Sequence, residues 1–184
     1  MWLFLASLAM LFIASLIGYV FIRHLNRARY NVTLHFPALL WVSTGLVMAV
    51  SLTLGLALYS VRRERQGPFR RWIKLALAGA IAFIAVQTPA MASLFTQHRQ
   101  ARAMYATSDG TGPGMGLYGL VFFMILLHAL HVIGGLVAMS IVTAKGMRGA
   151  YDHEHYAPVR YAAMYWHFLD VVWLAMFATL LIAA

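Results

Sequence analysis

Residues 116–143 read GLYGLVFFMILLHALHVIGGLVAMSIVT, with no Asp, Glu, Lys or Arg in the stretch. About 20 apolar residues cross a bilayer core as a helix, so this one run is long enough to span a membrane. Working outward from it, four more runs have the same character: residues 2–22, 36–60, 72–95 and 161–183. The expected fold is therefore all-α, a polytopic membrane bundle of about five transmembrane helices forming a single transmembrane domain over 1–184.

Composition agrees. Of 184 residues, 62% are hydrophobic and only 10% charged, against about 25% charged in a typical soluble domain. Lipid tails tolerate the apolar surface that so few charges leave uncovered. The chain has no cysteine. That excludes disulfides, thiolate zinc sites, cysteine-ligated iron–sulfur clusters and a cysteine-bridged copper site.

The net charge is +9. A nucleic-acid partner would need a basic face on a soluble domain. Here the basic residues form short clusters between apolar runs, as in the loops of membrane proteins. Loop one carries Arg23, Arg27 and Arg29, and loop three Arg99 and Arg102. Loop two carries Arg62, Arg63, Arg65, Arg70, Arg71 and Lys74, and loop four Lys145, Arg148 and Arg160. The heavier pair, nine basic residues against five, is expected in the cytoplasm, with the amino terminus inside and the carboxy terminus outside. The first run lacks the basic n-region and cleavage site of a signal peptide and reads as a retained helix. It begins so close to Met1 that a longer native amino terminus is expected.

Polar groups within the spans mark function or satisfied packing contacts. They are Gln87 in the third span, His128 and His131 in the fourth, and His167 and Asp170 in the fifth. Each histidine pair, or histidine–carboxylate pair, is three residues apart and shares a helix face. At about 1.5 Å per residue, His131 lies roughly 20 Å along its helix from Lys145, and Asp170 roughly 15 Å from Arg160. The polar groups thus sit near the midplane. The antiparallel fourth and fifth spans predict a contact between a span-four histidine and His167 or Asp170. Interhelical packing is the expected role; a proton relay or metal site is the sharper alternative. Two histidines three apart on one helix do not bracket a haem plane. His24, His35, His98, His153 and His155 lie in or beside loops, so no catalytic haem–copper centre is expected.

Small-xxx-small steps occur at Ala76/Ala80, Ala78/Ala82 and Gly134/Ala138, which favour close helix approach. Trp2, Trp41, Trp72, Tyr161, Tyr165 and Trp166 fit interfacial belts. Trp173, seven residues after Trp166, reads as a deeper packing stripe.

Several of these strings resemble one family. His128-Ala-Leu-His131-Val-Ile-Gly134-Gly135 resembles the paired-histidine segment of subunit III of cytochrome c and quinol oxidases. Tyr165-Trp-His-Phe-Leu-Asp-Val-Val-Trp173 is similar to its most distinctive string. Ser108-Asp109-Gly110, Tyr118-Gly119 and Phe122-Phe123 look like its lead into the histidines. Gln87 matches a glutamine of its preceding helix, and Met1–Tyr19 looks like the start of its five-helix form. The resemblance implies a cofactor-free accessory subunit of a haem–copper terminal oxidase, in a bacterial inner membrane. Haem and copper would belong to a catalytic subunit I partner. Such a subunit would stabilise that partner and bind phospholipid, with Lys145 aligned to a residue contacting a lipid head group. Two family glutamates are replaced, by Leu8 and Ala90, so roles tied to those acids do not carry over. An accessory subunit of a nitric oxide reductase and a small proton-coupled transporter using His128, His131, His167 and Asp170 are the alternatives.

Overall fold

The computed structural model describes residues 1–25, 39–105 and 115–183, apart from the side chains at 25, 39, 90, 91, 93–95, 97–105, 115–119, 121, 180 and 183. Arg27, Arg29, His35, Ser108–Gly110 and the Gly-rich turn that follows lie outside the described residues. So do the side chains of Ala90, His98, Arg99, Arg102 and Tyr118.

Five helices follow one another: α1 (Trp2–Leu25), α2 (Leu39–Arg62), α3 (Gln66–Tyr105), α4 (Met115–Met147) and α5 (Ala157–Ala183). All five are long and apolar enough to cross a membrane. Four of them close a ring: α2 packs on α3, α3 on α4, α4 on α5, and α5 back on α2. α1 lies outside the ring and packs on α4 and α5.

The helices outrun the apolar stretches that announce them. α3 has 40 residues, roughly 60 Å at about 1.5 Å per residue, twice a bilayer core of about 30 Å. It begins at Gln66, six residues before the expected span, with Pro68 in its first turn. That position suits proline, because the missing N–H would have no helical acceptor there. At the other end it continues through Arg99 and Arg102 to Tyr105, so both lie on helix rather than in loop three. The reason is local. Residues 96–105, TQHRQARAMY, are rich in Gln, Arg, Ala and Met, which hold a helix in water as well as in lipid. Pro89 inside α3 removes one main-chain bond. One residue earlier, Thr88 donates to the Ile84 carbonyl at 2.8 Å.

α2 and α4 both end in a Schellman cap on the same side of the bundle. At α2, Arg65 N donates to Ser60 O at 3.0 Å and Glu64 N to Val61 O at 3.2 Å. At α4, Ala150 N donates to Lys145 O at 3.2 Å and Gly149 N to Gly146 O at 3.1 Å. This cap needs one left-handed residue. Gly149 supplies it freely at φ 76°, whereas Glu64 adopts φ 57° against its Cβ. The two connections then meet: Glu64 Oε1 lies 2.7 Å from His153 Nδ1, and Gln66 Nε2 donates to Tyr151 O at 2.8 Å.

The core sits on the inner faces of the ring. Val47, Val50, Leu54, Ala76, Ala80, Phe83, Trp166, Leu169 and Trp173 belong to one buried cluster. The Ala76/Ala80 step is fully buried, as close packing requires. Gly134 and Ala138 are exposed, and their neighbour Gly135 is buried. A Cβ there would sit 3.1 Å from the Tyr165 ring.

Candidate functional site

The polar groups of the membrane interior divide between two seams of α5. The first is the α2–α5 seam. α2 and α5 run antiparallel, in contact from Trp41–Phe177 through Thr44–Trp173, and Arg62 at the end of α2 lies over Tyr156, the residue before α5. Midway along, Ser51 Oγ and His167 Nδ1 share a hydrogen bond of 2.5 Å. The same hydroxyl reaches the Asp170 carboxyl. Asp170 Oδ2 lies 4.0 Å from His167 Nδ1, too far for a hydrogen bond, and has no hydrogen-bond partner among the described residues. His167 is 43% exposed at its side chain and Asp170 7%. The i, i+3 spacing that placed the two on one face therefore builds a cluster completed by a residue of α2.

The second seam joins α4 to α5 and α1. His131 Nδ1 donates to the Leu127 carbonyl of its own helix at 2.7 Å. This fixes a proton on Nδ1. The Tyr165 hydroxyl donates to the His131 carbonyl at 3.1 Å. His128 is buried. Its ring stacks on Trp173 at 5.7 Å and 28° and meets the Phe12 ring edge-on at 6.2 Å. Its Nδ1 is enclosed without a hydrogen-bond partner among the described residues. Gln87 follows Phe83 by one turn of α3, and the Phe83 ring packs edge-on against Trp173 at 6.1 Å. Gln87 Oε1 is likewise enclosed without a partner.

The structure thus brings His167 and Asp170 together with Ser51, and His128 and His131 together around Phe12. It pairs His167 with α2 rather than with a histidine of α4. Sequence reasoning passed over Ser51 and Thr44, because a lone Ser or Thr in an apolar run reads as a small residue. Trp166 is also placed differently: it is buried in the core rather than at an interfacial belt. Leu169 one turn on and Trp173 two turns on fill the same cluster. Leu8 is buried beside Phe12, Met124, Val172 and Met176. A carboxylate at this position would be surrounded by hydrocarbon, so the leucine suits its surroundings.

Among the described residues, no group of three or more His, Cys, Asp or Glu could hold a metal ion. The arrangement is suited to fixing helix register: each hydrogen-bonded polar side chain ties one helix to a neighbour or to its own backbone. Lys145 lies exposed in the last turn of α4, where a cation complements the helix C-terminus.

At the loop end, Asp152 Oδ1 accepts from His155 N at 2.6 Å and from Glu154 N at 3.0 Å. The His155 main-chain donor, chiefly, holds the Asp152 carboxyl below the usual carboxylate range.

The chain is similar to curated proteins of respiratory oxidases. The probable quinol oxidase subunit 3 of Staphylococcus aureus (strain USA300) is 28% identical over 140 residues, 76% of this chain and 64% of that protein. The probable cytochrome c oxidase subunit 3 of Nocardia farcinica is 25% identical over 138 residues, 74% of this chain and 62% of that protein. The matched stretch is thus less than two thirds of either relative's length. The family model described as cytochrome c oxidase subunit III matches residues 1–183, and the chain belongs to that family.

Proposed function

We propose that this chain is a cofactor-free accessory subunit of a haem–copper terminal oxidase, and that it braces a catalytic, haem-bearing subunit I. The observation that carries the reading is how the intramembrane polar side chains are used. His131, Tyr165, Trp173 and the Ser51–His167 pair each fix helix to helix or ring to backbone. A transporter would instead need polar groups along a continuous hydrated path. The matched relatives named above are oxidase subunits, which favours an oxidase over a nitric oxide reductase. Haem and copper belong to the partner in this reading, and the reduction of O2 takes place there. Bound phospholipid is part of the proposal, with Lys145 at the membrane edge as a cation for a lipid phosphate. The location is the bacterial inner membrane. The loops after α2 and α4 face the cytoplasm, because they carry the larger share of Lys and Arg.

Purification of the tagged chain in mild detergent tests this directly. Mass identification should find a larger subunit, and a reduced-minus-oxidised spectrum should show its haem. A chain recovered alone, or one that carries solute into liposomes by itself, would overturn the proposal.

A further inference from the structure

α1 and α2 both pack on α5, yet among the described residues they do not touch each other. α5 therefore forms the floor of a groove between them. That floor is apolar where Val171 and Leu174 are exposed, but His167 interrupts it with a side chain 43% exposed. His167 is the eleventh residue of α5, and Ser51 stands midway along the Leu40–Arg62 span. The imidazole is therefore at mid-membrane depth, where no water is available to hydrogen-bond it.

Among the described residues the ring hydrogen-bonds only through Nδ1, to Ser51. A neutral imidazole has a second nitrogen that must donate or accept. Lipid tails can do neither, and polar groups at this depth face protein or a hydrated cavity rather than acyl chains. From this we infer that the α1–α2 groove is the docking surface for a transmembrane helix of the haem-bearing partner, which supplies a hydrogen-bonding group to His167 Nε2. The inference rests on the accessory-subunit reading above and names the surface that reading leaves open.

A second copy of the chain fits less well. Across a two-fold axis His167 would face His167, and identical tautomers present two donors or two acceptors to each other. Ser51 and Asp170 behind the ring fix its orientation, so the partner meets a pre-positioned group. Gly55, one turn from Ser51 on α2, has open space where a Cβ would be, which lets another helix approach that wall closely.

The chain has no cysteine, so single cysteines can carry a photoreactive maleimide in native membranes that hold the whole complex. Leu52→Cys and Val171→Cys probe the groove. Leu75→Cys on α3 and Ile141→Cys on α4 probe exposed positions of the other two ring helices. The expected result is adducts with the haem-bearing subunit, identified by mass, from Leu52→Cys and Val171→Cys, and loss of those adducts at Leu75→Cys and Ile141→Cys. His167→Leu should lower recovery of the partner roughly threefold, while His167→Gln, which keeps a hydrogen-bonding group, retains it. Adducts with a second copy or with lipid alone from the groove overturn the docking surface. So do partner adducts confined to α3 and α4, and unchanged recovery with His167→Leu. In each of those cases the accessory role stands if the haem-bearing subunit still copurifies. Its absence from every preparation removes the accessory role and the docking surface together.

Discussion

Gly79 of α3 stands directly against Val50 of α2 in the α2–α3 hairpin. A Cβ built there would lie 2.8 Å from Val50 Cγ2 of α2, against about 3.5–4.0 Å for an ordinary carbon contact. The neighbour must therefore retreat by about 0.7 Å or more. Val50 cannot do so by rotating: β-branched side chains hold one χ1 well in a helix, and this one is 1% exposed. The helices have to part instead. Overpacking of this kind costs about 1–3 kcal/mol. Replacing glycine by alanine in a helix returns about 1 kcal/mol. Gly79→Ala should thus destabilise the chain by about 1 kcal/mol net. In a Val50→Ala background the clash is gone and only the propensity gain remains, so the same substitution should stabilise by about 1 kcal/mol. The implied coupling of about 2 kcal/mol is in the range for residues in contact.

Thermal unfolding in mild detergent, followed by the fluorescence of the five tryptophans, reads both signs, at roughly 2–4 °C per kcal/mol for a chain of this size. An equal effect of Gly79→Ala in the two backgrounds would refute the argument. So would stabilisation of the otherwise unaltered chain.

The two Schellman caps give a matched pair. Gly149→Ala, at φ 76°, should lower stability by about 1 kcal/mol. Glu64→Gly removes the left-handed cost and should match or exceed the parent in thermal unfolding, while Glu64→Ala keeps that cost and falls below both. The Asp152 turn should respond to acid. Its carboxyl is held below the ordinary value by the main-chain donors of His155 and Glu154, so its contribution is complete above the unfolded-state value of about 3.9 and is lost as pH falls through the lower, folded one. The protection of the His155 and Glu154 amides, meaning their hydrogen exchange relative to an unstructured amide at the same pH, should therefore stay constant from neutral pH down to the unfolded-state value and fall in strong acid; a fall already at neutral pH would contradict this. His128→Leu removes a buried Nδ1 that has no hydrogen-bond partner among the described residues and should be tolerated. Trp173→Ala empties the centre of the core and should cost about 3–5 kcal/mol. If His128→Leu proved the more damaging in unfolding assays, the packing role given to that ring would be wrong.

The number and approximate position of the helices were legible because hydropathy reports which backbone must satisfy itself away from water. Where each helix stops was not, since hydropathy reports the solvent rather than the chain. α3 runs on past its apolar stretch because Gln, Arg and Ala suit a helix in either medium. The polar residues at membrane depth were legible for the same reason as the spans, because each stands out against hydrocarbon. Their partners were not, because partnership depends on which helices adjoin. Spacing put His167 and Asp170 on one face of α5, but only the closed ring α2–α3–α4–α5 shows that this face meets Ser51. Trp166 was misread in the same way: near a span end a tryptophan suits an interface equally well, until Leu169 and Trp173 on the same stripe are seen to be buried.

The string from Tyr165 to Trp173 then has a physical explanation. α5 packs on α1, α2 and α4 and sends Trp173 across the ring to Phe83 of α3, and a helix so enclosed must present a different chemistry on each side. Trp166, Leu169 and Trp173 turn into the ring with Phe83 and Ala80 of α3. Tyr165, Phe168 and Val172 meet Leu8 and Phe12 of α1. His167 and Asp170 meet Ser51 of α2. Of the nine residues only Val171 is left with a largely exposed side chain, and His167 is half-exposed beside it on the same groove floor. A string with eight positions committed to neighbours tolerates few substitutions. The ninth, together with the open edge of the imidazole, is where this chain can meet another protein without disturbing its own packing.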